Sequence, residues 1–407
     1  MQSNNYTKFS ILLLMLLLAG CGPSLIDFVR RGDSAKVQMK LDKNTSDVNI
    51  PKMSLWQPMA GYGTQNTPRT TMASINPKTG LLMAGYETQK TPRTALSFAA
   101  EDGNIEIVRL LLSKGANVND TPYAPYGSAK PLVVASINGH SEVVRILLDN
   151  GADPNAESFP ALIGAAENGH EGIVRMLLDS KADPNVSFTY FLFGKDYVSA
   201  EIVKVIVVSK GDHSFNPLLA AVENDHVNIL KMLIDSGANP NLGLTKPLEI
   251  AARAGLFEMV KMLLEGGADP NLPSPITESQ TFTPLISAAQ KGHAKIVQLL
   301  LEKGANIEAI TTIDGEPLVD LSRGGYIEFN LYDVGRYERL QMNALSLAVR
   351  NGHLPIVKLL LEKGANVNSE LTWNLRSGKM TVKPLEIAYM KNQVAIAELL
   401  KQAGAVR

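Results

Sequence analysis

A unit of about 30 residues recurs along most of this chain of 407 residues. One copy reads TALSFAAEDGNIEIVRLLLSKGANVN at 94–119, and the next reads KPLVVASINGHSEVVRILLDNGADPN at 130–155. Further copies start at positions 160, 216, 246, 283, 343 and 383. A unit of this length cannot bury its apolar face alone, so each copy must pack against its neighbours. The repetition therefore predicts one stack of similar units rather than several globular domains.

Each copy carries the signals of two short helices joined by a tight turn. Proline at the start, as at Pro131, suits the first helical position because its missing N–H needs no partner there. Apolar residues at helical spacing, as in 356–361, predict the second helix. A turn such as Asp153-Pro154-Asn155 then ends the unit. Between the two helices stands a glycine that can adopt the left-handed conformation and end the first helix. These glycines are Gly103, Gly139, Gly169, Gly255, Gly292 and Gly352.

The copies resemble ankyrin repeats, whose pattern is TPLHxAAxxGHxxIVxxLLxxGADxN. This resemblance implies an all-α repeat solenoid of helix-turn-helix units with β-hairpin fingers, about nine to ten units in all. It implies repeats over 94–310, with a degenerate unit at 190–215, and over 343–407, where the last copy is a C-terminal cap. Residues 21–50 fit one further copy, and we expect an N-terminal capping repeat there. Because ankyrin proteins are mostly protein-binding scaffolds, the resemblance implies a non-catalytic role in binding protein partners through the fingers and the concave face.

The N-terminus has the pattern of an export signal. The apolar run at 11–19 has about half the length needed to span a bilayer as a helix. Leu18-Ala19-Gly20-Cys21 resembles the lipobox of bacterial lipoproteins. The resemblance implies that residues 1–20 are a signal peptide and that the thiol of Cys21 carries lipid, which anchors the protein to a membrane of the bacterial envelope. Gly22 favours the outer membrane, facing the periplasm. The alternative is an ordinary secretory signal with an incidental cysteine.

The two longest insertions between the copies are 51–93 and 311–342, and shorter insertions lie at 121–129, 272–282 and 369–382. Inside the first, residues 59–70 and 83–94 are nearly identical tandem copies. Proline and glycine in the NPKTG sequence between them predict the turn of a hairpin. We expect both insertions to be extended fingers, and the sequence assigns no ligand to the duplicated segment.

Aromatic residues concentrate in the segments that connect the helix pairs. Tyrosine and tryptophan are enriched at binding hot spots, so we expect partner-binding residues among these aromatics. The predicted set is Trp56, Tyr123, Tyr126, Tyr326, Phe329, Tyr332, Tyr337 and Trp373. The alternative is that the fingers pack against one another and the aromatics serve only β-structure.

Histidines recur at one place in the repeat. Five of the six follow the turn after the first helix, and they are His140, His170, His226, His293 and His353. Equivalent positions in a helical stack lie about 10 Å apart, whereas the ligands of one zinc ion lie about 2.1 Å from the metal. We therefore expect these imidazoles to bond to nearby backbone and expect no metal site. His213 is interpreted as a turn residue.

Charge and motif content narrow the function further. The chain has 39 basic and 40 acidic residues and a net charge of −1, which offers no basic footprint for nucleic acid. It has one cysteine, no phosphate-binding loop and no zinc-binding motif, so we expect no small-molecule cofactor and no enzymatic activity. Two alternatives stay open. One is a dedicated inhibitor or protective factor for an exported enzyme or toxin, and the other is an enzyme with a site in 309–342 that uses Asp314, Glu316 or Asp320.

Overall fold

The computed structural model of the protein describes ten stretches of the chain. They are residues 24–43, 74–75, 82–83, 94–119, 130–156, 160–189, 214–277, 280–314, 339–375 and 378–406. The chain divides into two compact units, residues 1–74 with 83–183 and residues 75–82 with 184–407.

The first unit contains four helix pairs within its described residues. In chain order they are α1 (Leu25–Arg30) and α2 (Ser34–Lys43), α3 (Ala95–Glu101) and α4 (Ile105–Ser113), α5 (Pro131–Ile137) and α6 (Ser141–Asp149), and α7 (Ala161–Glu167) and α8 (Glu171–Asp179). The short strands β1 (Ser74–Ile75) and β2 (Leu82–Met83) pair with each other in the segment where the sequence predicts a hairpin.

The second unit contains five helix pairs and most of the strands within its described residues. The helices are α9 (Pro217–Glu223) and α10 (Val227–Asp235), α11 (Pro247–Ala254) and α12 (Phe257–Glu265), α13 (Pro284–Lys291) and α14 (Ala294–Glu302), α15 (Ala344–Arg350) and α16 (Leu354–Glu362), and α17 (Pro384–Met390) and α18 (Val394–Gln402). The strands are β3 (Phe188–Thr189), β4 (Ser214–Phe215), β5 (Ser274–Thr277), β6 (Gln280–Phe282), β7 (Ile310–Asp314), β8 (Arg339–Asn343), β9 (Leu371–Leu375) and β10 (Gly378–Val382).

Equivalent helices of successive pairs pack against each other within each unit. In the first unit α1 contacts α3, α3 contacts α5 and α5 contacts α7, and the second helices follow the same order. In the second unit the first helices from α9 to α17 and the second helices from α10 to α18 are stacked in the same way. The helical repeat solenoid predicted from the sequence is confirmed.

The first described pair, α1 and α2, packs against α3 and α4. Ser24 caps α1 by accepting a hydrogen bond from the Asp27 N–H, and the Asp27 carboxylate accepts one from the Ser24 N–H at 2.8 Å. The Arg30 guanidinium lies 4.3 Å from the centre of the Phe98 ring, and Lys114 forms an ion pair with Asp42 at 2.7 Å. Residues 25–43 are therefore attached to the next helix pair by apolar and charged contacts.

The turn inside each pair is coupled to the next pair through a glycine and a histidine. Gly103 has a φ of +69°, and a Cβ atom there would lie 2.6 Å from the His140 ring. The Nε2 atom of His140 lies 2.8 Å from the carbonyl oxygen of Glu101, at the end of the preceding first helix. That carbonyl has no partner within its own helix, so the imidazole satisfies it.

The same bridge recurs at other pairs. The Nε2 atoms of His170, His293 and His353 lie 3.0, 3.2 and 3.0 Å from the carbonyl oxygens of Ile137, Arg253 and Gln290. At α18 the Gln393 amide takes this place and donates to the Arg350 carbonyl at 3.4 Å. The prediction that the repeat histidines bond to backbone is confirmed for His140, His170, His293 and His353. The sixth histidine of the chain, His213, lies outside the described residues.

An asparagine after each second helix forms the other bridge between neighbouring pairs. Asn241 donates from its side-chain amide to the Gly267 carbonyl at 2.9 Å and accepts from the Asp269 N–H at 2.8 Å. The same pair of bonds is made within one unit or the other by Asn119, Asn155, Asn185, Asn271 and Asn368. Each bridge connects one second-helix turn to the next. We call this set the asparagine ladder.

The ladder changes at Glu308, which stands where the other turns have asparagine. Its carboxylate accepts from the Asn366 N–H at 2.7 Å and from the Asn343 amide at 3.5 Å. An ionised carboxylate has no hydrogen to donate, so this position cannot make the second bond of the ladder.

The degenerate unit predicted at 190–215 lies outside the described residues except for Ser214 and Phe215. Those two residues form β4, which pairs antiparallel with β3. Asn185, just before β3, bonds to Gly237 and Asn239 in the turn after α10. These contacts lie within the second unit.

One carboxyl group lies in the core. Glu249 on α11 is fully buried, and its Oε1 atom accepts a hydrogen bond from the Ser287 hydroxyl at 2.6 Å. Arg253 Nε lies 3.4 Å from the same oxygen as an ion-pair contact. The Oε2 atom has no hydrogen-bond partner among the described residues. Burial raises the pKa of Glu249, and the Arg253 charge and the Ser287 hydrogen bond oppose that rise.

Replacing Asn241 by alanine is expected to lower the free energy of unfolding by about 1–2 kcal/mol, because two hydrogen bonds between helix pairs are lost. Glu308→Asn is the complementary change, and it is expected to raise stability because an amide can make both bonds of the ladder. Urea unfolding followed by circular dichroism measures both effects. Equal midpoints for the wild type and Asn241→Ala would contradict a stabilising role for the ladder.

Glu249→Gln is expected to become more stable relative to the wild type as pH rises. A raised pKa means that the folded state binds more protons than the unfolded state above about pH 4.3, so the wild type loses stability with rising pH in that range. The glutamine keeps an acceptor for Ser287 and does not titrate. Thermal unfolding between pH 4.5 and pH 8 measures the difference, with the exposed Glu265→Gln as control. If the difference in stability between Glu249→Gln and the wild type does not change with pH, burial does not raise the pKa of Glu249.

Candidate interaction surface

The first helices contribute little open surface. In α11, residues 247–252 are all buried, and the same six positions are buried in α9 and α13. The packing that stacks the repeats uses these side chains. A partner would therefore meet the ends of the first helices, the outer faces of the second helices and the fingers.

The outer faces of the second helices carry charges of both signs. In the first unit, the exposed Arg109 forms an ion pair with Glu142 of the next pair at 3.1 Å, and Arg145 contacts the same carboxylate at 3.2 Å. Exposed ion pairs of this kind contribute little to stability. This mixed charge gives no large field of one sign that would select a partner.

The fingers of the second unit join into a larger surface. Strands β7, β8, β9 and β10 form one antiparallel sheet in the order β10-β9-β8-β7. Two hairpins contribute to it, since β7 pairs with β8 and β9 pairs with β10. They are joined because Arg339 and Leu340 of β8 are in register with Asn374 and Trp373 of β9. We call β7–β10 the finger sheet.

The two faces of the finger sheet differ in polarity. One face is buried, and its described side chains are Thr311, Leu340, Met342, Leu371 and Val382. The other face is partly exposed, and its described side chains are Ile310, Thr312, Gln341, Thr372 and Thr381, with the buried capping residue Asn343 at the end of β8. Alternation of apolar and polar residues along each strand produces this division. The open face presents hydroxyl and amide groups that can donate and accept hydrogen bonds.

Apolar side chains are exposed on β7 of the finger sheet and in one short finger of this unit. Ile310 at the start of β7 is 55% exposed, and Leu242 and Leu244 are 38% and 41% exposed. The two leucines stand in a short finger that Lys246 closes, because its ammonium donates to the carbonyl of Asn241 at 2.9 Å and to that of Gly243. Burial lowers the pKa of Lys246.

Most of the predicted site residues fall outside the described part of the chain. These are Cys21, Trp56, Tyr123, Tyr126, Tyr326, Phe329, Tyr332 and Tyr337. Trp373 lies in β9, where its backbone is in register with Leu340 and with Met380. Sequence analysis did not identify the polar open face. The alternation of residues in 310–314 and 339–343 was the signal that could have located it.

The described residues show no arrangement suited to metal binding. Within those ten stretches, no group of three or more His, Cys, Asp or Glu side chains is placed to hold a metal ion. Four of the histidines bond to backbone carbonyls, and the buried carboxyl of Glu249 contacts Ser287 and Arg253. Within the same stretches, no helix has the length and apolar character of a membrane span.

Family models match most of the chain. The model described as ankyrin repeats in three copies matches residues 78–158, 127–187, 195–274 and 320–406, and the model of the single ankyrin repeat matches residues 281–312.

Three curated proteins are similar to parts of the chain. Ankyrin repeat and KH domain-containing protein mask-1 of Caenorhabditis elegans is 28% identical over 198 residues, which cover 49% of this chain and 6% of that protein. Alpha-latrocrustotoxin-Lt1a of Latrodectus tredecimguttatus is 27% identical over 223 residues, which cover 50% of this chain and 15% of that protein. Protein fem-1 homolog CG6966 of Drosophila melanogaster is 36% identical over 95 residues, which cover 23% of this chain and 11% of that protein. The chain thus matches only a small part of each relative's length.

Among solved structures, the human ASB11 ankyrin repeat domain aligns with a TM-score of 0.43 and 19% identity, covering 68% of this chain and 99% of that one. The family models together cover well over half of the sequence, and the helix pairs, glycine turns and hairpin fingers have the order that the ankyrin pattern predicts. The chain is a member of the ankyrin-repeat family.

Proposed function

We propose that this protein is a membrane-anchored, non-catalytic scaffold of the bacterial envelope that binds a protein partner through its fingers. Ankyrin-repeat proteins act as protein-binding scaffolds, and this chain shares their repeat. The observation that supports the finger assignment most directly is the finger sheet, which has one buried face and one open polar face.

The physical support comes from what the stacking leaves available. Hydroxyl and amide groups on a rigid sheet can form directional hydrogen bonds with a partner, and exposed apolar side chains such as Ile310 add contact area. The insertion between β7 and β8, residues 315–338, supplies aromatic side chains next to this sheet in sequence. Such a combination is typical of protein interfaces, where a few residues dominate the binding energy and tyrosine and tryptophan are enriched among them.

The anchor is proposed on the lipobox resemblance and on a short connection. Only Gly22 and Pro23 separate Cys21 from Ser24, the capping residue of α1. A fully extended chain spans at most about 3.6 Å per residue, so a lipid on Cys21 would hold α1 within about 11 Å of its attachment point. The first helix pair would then lie next to the membrane, and the outer membrane facing the periplasm is the location that we propose.

Replacing residues 315–338 by the linker Thr-Asn-Gly-Thr is expected to abolish capture of the partner while the repeats stay folded. Asp314 and Arg339 are in register, so the two threonines add one residue pair to the hairpin and the Asn-Gly turn closes it without moving either strand. Crosslinking in native membranes, followed by identification of captured proteins, measures the binding. Thermal unfolding of the variant is the control for folding, and unchanged capture by a folded variant would exclude this finger as the binding element.

Cys21→Ser is expected to move the protein from the membrane fraction to the soluble fraction. Several acyl chains on one cysteine anchor strongly, because each buried methylene contributes about 0.8 kcal/mol. Fractionation after metabolic labelling with a palmitate analogue measures both lipid attachment and location. Label that persists on the serine variant, or a wild type without label, would contradict anchoring at this residue.

A further inference from the structure

The outer edge of β10 is open within the described chain. The finger sheet begins with β10, which pairs with β9 over five consecutive residue pairs, and no other described strand pairs with it. An edge strand of this kind presents backbone N–H and C=O groups to its surroundings.

The register of the hairpin determines which residues of β10 direct their backbone N–H and C=O groups to the open edge. Leu375 and Gly378 are in register on either side of a two-residue connection. In such a hairpin the closing pair is hydrogen-bonded, and hydrogen-bonded and non-hydrogen-bonded pairs then alternate along the ladder. Gly378, Met380 and Val382 therefore direct their backbone groups towards β9. Lys379 and Thr381 direct theirs to the open edge.

The preceding finger contains the strand equivalent to β10, which is β8, and the structure shows what pairs with the edge of that strand. β8 leads into the first helix α15, and β10 leads into α17 in the same way. Counted back from the capping residues Asn343 and Lys383, Leu340 corresponds to Met380, and Arg339 corresponds to Lys379. The edge of β8 is occupied by β9, which brings Trp373 opposite Leu340 and Asn374 opposite Arg339.

The β10 edge also lacks two of the features that keep edge strands from pairing, which are proline and a bulge. In the neighbouring hairpin, β5 contains Pro275, and its register with β6 shifts between Pro275 and Thr277. Proline and bulges both block strand addition. β10 contains no proline, and its register with β9 is continuous. Its one charged residue is Lys379.

From these observations we infer that β10 binds an extended segment of the partner protein by β-strand addition, in the antiparallel orientation that β9 has against β8. The segment carries an aromatic or large apolar residue opposite Met380 and a polar or acidic residue opposite Lys379. The inference rests on the proposed protein-binding function and adds to it the position and the chemistry of the bound segment. Backbone hydrogen bonds supply affinity in this mode, and alternate side chains supply specificity.

The test uses a labelled peptide that copies β9, ELTWNLR, which is residues 370–376 of this chain. Fluorescence anisotropy with the purified full chain in detergent micelles measures binding. Methylating the peptide nitrogens at the positions of Thr372 and Asn374 is expected to abolish binding, because those N–H groups face the edge of β10. Methylation at the positions of Leu371 and Trp373 is the matched control and is expected to preserve binding. Equal effects of the two patterns, or no binding by the unmethylated peptide, would overturn the inference.

Substitutions in β10 provide a second, independent test of strand addition. Thr381→Pro removes an N–H that faces the open edge, without removing a bond to β9, and it is expected to weaken peptide binding about tenfold or more. Thr381→Val keeps the N–H and is expected to bind like the wild type. If the Thr381→Pro variant folds and binds the peptide as tightly as the wild type, the peptide does not bind at the β10 edge. If the chain forms dimers that Thr381→Pro dissociates, the edge belongs to a second copy and the inference is wrong.

The two proposals can fail separately. If the peptide does not bind but removal of residues 315–338 still abolishes capture of the partner, the strand-addition inference fails and the scaffold function stands. If the peptide binds with the predicted methylation pattern but no protein is captured in native membranes, the β10 edge can bind an extended peptide and the proposed function fails.

Discussion

The structure depends on polar bridges that join the backbone of each helix pair to the next. A histidine or glutamine side chain satisfies a carbonyl at the end of the preceding first helix, and an asparagine links successive second-helix turns. Both ends of a short helix leave backbone groups without partners, and these bridges satisfy some of them across the boundary between repeats. They also fix the position of each pair, because a shift of one residue would break both contacts. Apolar packing supplies most of the driving force, while the bridges select one arrangement.

This use of side chains explains where function can lie. The first helices are buried on nearly all sides, and the histidines that could have suggested a metal centre bond to carbonyl oxygens. What is left to a partner is the ends of the first helices, the outer faces of the second helices and the fingers. In the second unit the fingers merge into one sheet, which is more rigid than separate hairpins because a strand is supported from both sides. A rigid polar surface loses less conformational entropy on binding than flexible loops do.

Sequence reasoning predicted the helices, the glycine turns and the hairpins, since each depends on residues close together in the chain. It predicted that the histidines bond to backbone because they recur at one position of the repeat, although the carbonyls that they contact lie 33–63 residues away. It did not predict the asparagine ladder, because an asparagine after a helix is equally typical of a local turn, and the two ends of each bridge lie 26 or more residues apart. It also gave no sign that Glu249 is buried, since a glutamate in the first turn of a helix is usually solvated. The union of two hairpins in one sheet depends on the register between β8 and β9, for which no local pattern exists. Of the predicted binding aromatics, the structure describes the strand position of Trp373.

The contact at Glu308 has a consequence for how such a protein can evolve. Its carboxylate accepts from an N–H 58 positions along the chain, whereas the Asn241 side chain accepts from one 28 positions away, and both contacts join successive second-helix turns. The residues between neighbouring turns can thus double in number while this joint between repeats is preserved. Because the entropic cost of closing a loop grows only slowly with its length, insertions and duplications can accumulate in the connecting segments at a small cost in stability, so recognition can diversify under selection while the scaffold stays constant.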